Sequence, residues 1–209
     1  MTHDVIVIGG SYAGMAAALQ LLRARRSVLI IDAGNRRHRT ATHSHGFLGH
    51  DGVDPAELAR IARAQLMAYP TLVWVDGEAE LATGRQDAFR VTCQERTYLA
   101  RRLLFATGVL DQLPEIPGVL ERWGQSIFHC PYCHGFEVRD QPLGVIGGTG
   151  EAIVQAQLIR QWSDDVVYFA NGTTVGDADR ERFRARGIVV VDGEIAELVN
   201  ENDHLTGVR

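Results

Sequence analysis

Val5-Ile6-Val7-Ile8-Gly9-Gly10-Ser11-Tyr12-Ala13-Gly14 decides how this chain folds. An apolar run without alternation describes a parallel strand buried on both faces, and the glycines that end it describe a tight turn. A helix rich in Ala and Leu is expected from Met15 to Arg26, then a second apolar strand from Val28 to Ile31 that stops at Asp32. Strand, glycine turn, helix, strand and acid, with the acid about twenty residues past the glycines, is the pattern of a dinucleotide-binding unit. In that pattern Gly9 permits the turn and Gly14 lets the helix approach the strand. A pyrophosphate would rest on the helix N-terminus, and the Asp32 carboxylate would accept from ribose hydroxyls. Ser11 stands where a second glycine is expected; it is small enough to admit a phosphate, and its hydroxyl can donate to one.

Downstream, Ala33 to Asp54 carries Gly34, Arg36, Arg37, Arg39, His43, His45, Gly46, His50 and Gly52 with little apolar periodicity, as a functional loop does. His43 and His45 lack a neighbouring carboxylate or cysteine to complete a metal site, so polar residues that line a cofactor pocket or face solvent are the preferred reading, with no metal. Asp54-Pro55-Ala56-Glu57 offers an N-cap, a first-turn proline and a capping carboxylate, opening a helix to about Met67. From Leu72 to Phe105 the period becomes two, which predicts a small antiparallel meander with Cys93 as a buried strand residue. Leu103 to Ala106 is a further buried strand ending at Thr107-Gly108. Pro114 and Pro117 mark a linker, which divides the chain into residues 1–113 and 114–209.

The strand–turn–helix template recurs in the second part: Leu143 to Ile146, Gly147-Gly148-Thr149-Gly150-Glu151-Ala152, a helix from Ile153 to Trp162, and a strand from Val166 to Phe169. The fold class is therefore α/β, with two Rossmann-like units and a small meander. Ala170-Asn171-Gly172-Thr173-Thr174 follows the last strand, where a site for a 2'-phosphorylated nicotinamide cofactor offers arginines. Thr149 replaces the middle glycine, and Glu151 would satisfy the helix N-terminus itself and repel a pyrophosphate. Nicotinamide binding and a scaffold role both remain open for this unit. A hairpin is expected from Glu194 to Val208.

Between the two glycine turns lies Cys130-Pro131-Tyr132-Cys133-His134-Gly135-Phe136-Glu137. A thiol at a helix cap followed by Pro131 in the first helical position gains nucleophilicity from the dipole, and a second thiol one turn on can resolve a mixed disulfide. Covalent haem attachment, zinc and an inert buried pair are the competing readings. Haem needs export and an axial ligand. Zinc needs a second knuckle, and Cys93 is isolated. His134 titrates near neutrality and suits acid/base work on thiols, or else simply hydrogen-bonds at the helix start. With a net charge of −5, neither nucleic acid nor an anionic membrane is an expected partner. No apolar run reaches the length of a membrane span. The first strand begins close to Met1, leaving no room for a signal peptide, and three cysteines make no disulfide framework. Reducing cytoplasm is the expected compartment.

This order of parts resembles the thioredoxin reductase family of flavoproteins over nearly the whole chain, most specifically in Ala106-Thr107-Gly108 through Pro114, Ile116-Pro117-Gly118, Trp123-Gly124 and His129 to Glu137. The Cys-Pro-Tyr-Cys-His-Gly string, with His134 where ordinary members carry Asp, and the weak second site are similar to the dithiol oxidases of gliotoxin and holomycin type. That resemblance implies FAD on Gly9, Gly10, Ser11, Ala13, Gly14, Asp32, His45, Thr107 and Gly108. It implies Cys133 facing the flavin, Cys130 exchanging with substrate and His134 as acid/base. A small-molecule dithiol would be closed into a disulfide with oxygen as acceptor. The alternatives are an NADPH-dependent thioredoxin reductase acting on a thioredoxin-like protein and, of another class, a non-catalytic nucleotide-binding remnant. A homodimer is also implied. In the family the chain returns to the flavin domain with a final Gly-Asp segment, whereas this sequence ends at Arg209 inside the second unit, as a truncated chain would.

Overall fold

A computed structural model describes residues 1–202 and 204–209. Two compact units emerge. The first, Met1–Ser44 with Gly49–Asp111, contains β1 (Thr2–Ile8), α1 (Tyr12–Arg23), β2 (Val28–Asp32), α2 (Pro55–Met67), β3 (Leu72–Asp76), β4 (Leu81–Thr83), β5 (Phe89–Cys93) and β6 (Arg96–Phe105). The second, His45–Leu48 with Gln112–Arg209, contains α3 (Val119–Arg122), α4 (Pro131–His134), β7 (Leu143–Ile146), α5 (Gly150–Ile159), β8 (Val166–Phe169), α6 (Asp177–Ala185), β9 (Ile188–Val191), β10 (Leu198–Glu201) and β11 (His204–Val208).

The first unit is built on one sheet in the order β3-β2-β1-β6-β5-β4. Pairing is parallel from β3 through β6 and antiparallel from β6 to β4. Its apolar strands are covered on both faces. Val7, Val28 and Ile30 pack with Met15, Ala18 and Leu22 of α1 and Ala59 and Leu66 of α2. Ile6, Ile8, Leu29 and Ile31 point the other way, onto Val91, Cys93 and Ala100 of the meander. Each such side chain removed from water stabilises the fold by about 1.5–3 kcal/mol, which explains why β1 and β2 tolerate no polar alternation.

The α/β expectation holds, with one correction to the elements. Residues 72–76 are not part of the meander: β3 pairs in parallel with β2, Leu72 opposite Val28 and Asp32 opposite Asp76. An edge strand with an exposed Val73 shows the same period of two as a hairpin strand, so alternation cannot separate them. The meander is β4 to β6, and ten-residue β6 includes the separate strand expected at Leu103.

In the second unit β7, β8 and β9 form a parallel sheet. Its core gathers Val145, Ala152, Ala156, Val166, Tyr168, Phe183 and Ile188, with the Tyr168 and Phe183 rings 5.0 Å apart. Helix α5 starts at Gly150, a residue type and position that place it directly on the glycine turn, and ends at Ile159. The described residues of the expected hairpin form β10 and β11; Asp203, between them, lies outside the described residues. Leu198 N–H donates to Pro117 O at 2.9 Å, which ties the hairpin to the Pro-rich linker. Among the described residues no helix is long and apolar enough to cross a membrane, and no group of His, Cys, Asp and Glu could hold a metal ion.

Candidate active site

The first glycine turn is a close backbone junction. Gly9 has φ +103° and donates to Ile31 O at 2.8 Å. A Cβ on Gly9 would strike the carbonyl of Ala106, and one on Gly14 would strike the carbonyl of Gly9. Helix α1 therefore begins directly over the end of β1, while Ala106 and Thr107 pass beside it from β6; Ala106 N–H donates to Ile8 O at 2.8 Å. Gly10 N–H donates to Asp32 Oδ1 at 3.0 Å, so the acid at the end of β2 sits against the turn. Ser11 is the N-cap of α1, makes no side-chain cap bond, and leaves its hydroxyl beside the helix N-terminus; Ala13 is exposed in the first turn. The structure thus gathers Gly9, Gly10, Ser11, Gly14, Asp32 and Thr107.

These residues fit the adenosine diphosphate portion of FAD: a cradle too close for any Cβ, a helix N-terminus and an acid at the end of β2. Two further residues were not legible in the sequence. Trp74 of β3 lies opposite Ile30, and a Cβ on Gly10 would come within 2.7 Å of its ring and of Asp32 Cβ. Reading β3 as parallel would have found it. His38 stacks on Tyr12, the first residue of α1, with ring centroids 5.1 Å apart, and its buried Nε2 has no hydrogen-bond partner among the described residues. Burial, followed by Arg36 and Arg37, holds His38 below the ordinary imidazole value.

The dithiol lies in the second unit. Cys130 and Cys133 form a disulfide with Cα atoms 5.4 Å apart. Cys130 is the extended N-cap of α4, Pro131 takes the first helical position, and Cys133 N–H donates to Cys130 O at 3.2 Å. With four residues α4 is a single turn, so the expected activation of Cys130 by a helix dipole reduces to the few free N–H groups of that turn. Neighbouring elements hold the turn in place. A Cβ on Gly135 would meet Trp162 at 2.9 Å, Tyr132 meets Trp162 edge-on at 5.2 Å, and Gln155 of α5 donates to His129 O at 2.8 Å.

His134 closes α4, half-buried, its ring stacked on Phe128 at 4.4 Å between centroids. Burial pushes its basicity below the ordinary imidazole value, the Glu137 carboxylate works against that, and His45 adds to the lowering. His45 Nε2 lies 3.5 Å from Glu137 Oε1. The histidine implied for the flavin site thus belongs to the second compact unit, beside the dithiol segment.

At the second glycine turn, Gly147 donates to Phe169 O at 2.7 Å and Gly148 has φ +135°. Glu151 bonds its own backbone N–H and the Thr149 hydroxyl, which holds its carboxyl below the usual carboxylate range. After β8, Asn171 Oδ1 accepts from Ile195 N–H at 3.2 Å and the Thr173 hydroxyl donates to Ala170 O at 2.6 Å. A pyrophosphate here would meet the Glu151 carboxylate and no arginine from that segment.

Solved structures share this architecture. The oxidoreductase from Agrobacterium tumefaciens is 47% identical, with a TM-score of 0.92 over 96% of this chain and 68% of its own. HlmI is 45% identical, with a TM-score of 0.94 over 99% of this chain and 66% of its own. The thioredoxin reductase tcpT of Claviceps purpurea is 35% identical over 81% of this chain and 56% of its own length. The chain spans about half the length of the curated relatives it matches. Residues 3–208 match the model of the pyridine nucleotide-disulphide oxidoreductases, and the chain belongs to that family.

Proposed function

We propose that this chain is a FAD-dependent thiol/disulfide oxidoreductase that cycles Cys130 and Cys133 between dithiol and disulfide while oxidising a small dithiol, with oxygen as final acceptor. The observation that carries this reading is a disulfide with an imidazole one residue on, in a unit whose own glycine turn carries the Glu151 carboxylate at its helix start. A substrate thiolate attacks Cys130 Sγ, the bond between the two cysteines breaks, and Cys133 leaves as a thiolate. The second substrate thiol then attacks the sulfur joined to Cys130, the substrate departs as a disulfide, and Cys130 and Cys133 remain as a dithiol. His134 accepts a proton from the incoming thiol and returns one to the leaving sulfur. FAD, held by Gly9, Gly10, Ser11, Ala13, Gly14, Asp32, Thr107 and Gly108, supplies the two-electron acceptor that regenerates the disulfide.

In this reading residues 1–113 form the flavin domain and residues 114–209 the dithiol domain, the protein works as a homodimer, and its compartment is reducing cytoplasm. A second reading, NADPH-dependent reduction of a thioredoxin-like protein, is favoured by the name of the Claviceps relative. Anaerobic mixing separates the two. Bleaching of bound flavin by a small dithiol but not by NADPH, with oxygen consumed in air, is the expected result. Bleaching by NADPH establishes the reductase instead, and a colourless protein that takes up no added FAD sinks both.

A further inference from the structure

Glu137 stands three residues after His134, in the turn that follows α4; its N–H donates to His134 O at 3.2 Å. Its carboxylate faces a second imidazole, with His45 Nε2 3.5 Å from Oε1. His45 reaches this place from a segment, His45–Leu48, that interrupts the first unit in sequence yet belongs to the second. Phe128 covers a face of the His134 ring, leaving the imidazole one aromatic wall and one carboxylate. Arg139, the nearby cation, is committed elsewhere: it lies over the Phe136 ring at 4.0 Å and donates to Phe136 O at 2.6 Å. Among the described residues, the charged groups that act on His134 are Glu137 and His45.

We propose that Glu137, shared between His134 and His45, is a positioning residue that governs proton transfer at His134 and so the rate of exchange at the Cys130–Cys133 disulfide. A half-buried imidazole stacked on an aromatic ring is poorly solvated when charged, and burial alone makes it a weak proton acceptor. A carboxylate alongside stabilises the charged ring at the moment a thiol gives up its proton. When His45 carries a charge it opposes His134 directly and draws on the same carboxylate, so the second imidazole tempers the first. The inference rests on the thiol/disulfide reading above, and it adds a residue that acts on that chemistry through His134.

The test follows the disulfide itself and needs no flavin turnover. Reduction of the full chain by dithiothreitol, quenched with iodoacetamide and read by mass, is compared between wild type and Glu137→Gln across the neutral pH range. His134 is titrated in parallel by its imidazole proton resonances. The Gln variant is expected to exchange about tenfold more slowly near neutrality, since weakening a general base costs less than the ~10²–10⁴ of losing one. Its His134 titration moves to lower pH, Glu137→Asp restores most of the rate, and His45→Gln moves the His134 titration upward. A Gln variant with the wild-type rate and an unmoved His134 titration overturns the inference while leaving the thiol/disulfide reading intact. A wild-type disulfide inert to the dithiol overturns both. Should the Gln variant fail to fold, His45→Gln decides: a His134 titration that does not rise overturns the inference.

Discussion

At residue scale, the two candidate sites obey different rules. The glycine cradle is a steric site, and its glycines are required because backbone occupies the space of a side chain. Gly14→Ala would drive a methyl group into the Gly9 carbonyl, and we expect it to destabilise the chain by about 1–3 kcal/mol and weaken FAD binding more than tenfold, read by denaturant midpoint and flavin titration. Undiminished FAD binding would mean that the cofactor does not lie on this turn. The dithiol site is a chemical one. Cys133→Ser removes the resolving sulfur, so turnover is expected to stop and Cys130 to accumulate a mixed disulfide visible as added mass; persistent turnover would remove the pair from the mechanism. Gly9, Gly14, Asp32, Cys130 and Cys133 were legible in the sequence because each serves a local pattern. Trp74, His38 and the His45–Glu137 pair were not, because each acts through a partner far away in the chain, and spacing carries no record of such a meeting.

At the scale of elements, signals agreed with structure wherever the cause was local. Asp54 accepts from Ala56 N–H at 2.6 Å and caps α2 as its sequence expects, with Pro55 in the first turn. Glu57, expected to reach back to the cap, turns instead to Arg60, 2.7 Å away, and leaves Asp54 as the sole side-chain cap. Asp54→Ala is therefore expected to cost about 1 kcal/mol, and Glu57→Gln clearly less, by equilibrium denaturation. Equal losses would show that Glu57 shares the cap. Elements whose identity depends on their neighbours were harder to read. β3 is a parallel edge strand with the alternation of a hairpin, and α4 is a single turn whose C-cap, Gly135, lies too close to Trp162 for a side chain.

For the molecule as a whole, the first unit buries two apolar clusters and the second one, and three histidines are partly buried among the folded elements. His3, His38 and His134 are all held below the ordinary imidazole value, first by burial. The unfolded chain takes up these protons near pH ~6.5, whereas the folded chain does so only at lower pH. The unfolded state then binds more protons, so stability is complete above about pH 6.5 and falls as pH drops below it. The exposed carboxylates Asp4, Glu57, Asp76 and Asp87 are held low by their partners and add their own loss only at more acid pH. Denaturant midpoints at about pH 7.5 and about pH 5.5 should differ in this direction, with a smaller difference in His38→Gln; equal midpoints would refute the assignment.

Cys93, the third cysteine, lies at 0% exposure in β5, and burial pushes its thiol up, away from the reactive thiolate. Its silence turns the native protein into an electron counter. An alkylating reagent finds no sulfur in the oxidised chain and two in the reduced one, so each pair of labels records one pair of electrons delivered to Cys130 and Cys133. The stoichiometry of any reductant or oxidant can then be read by mass, without colour and without a cofactor.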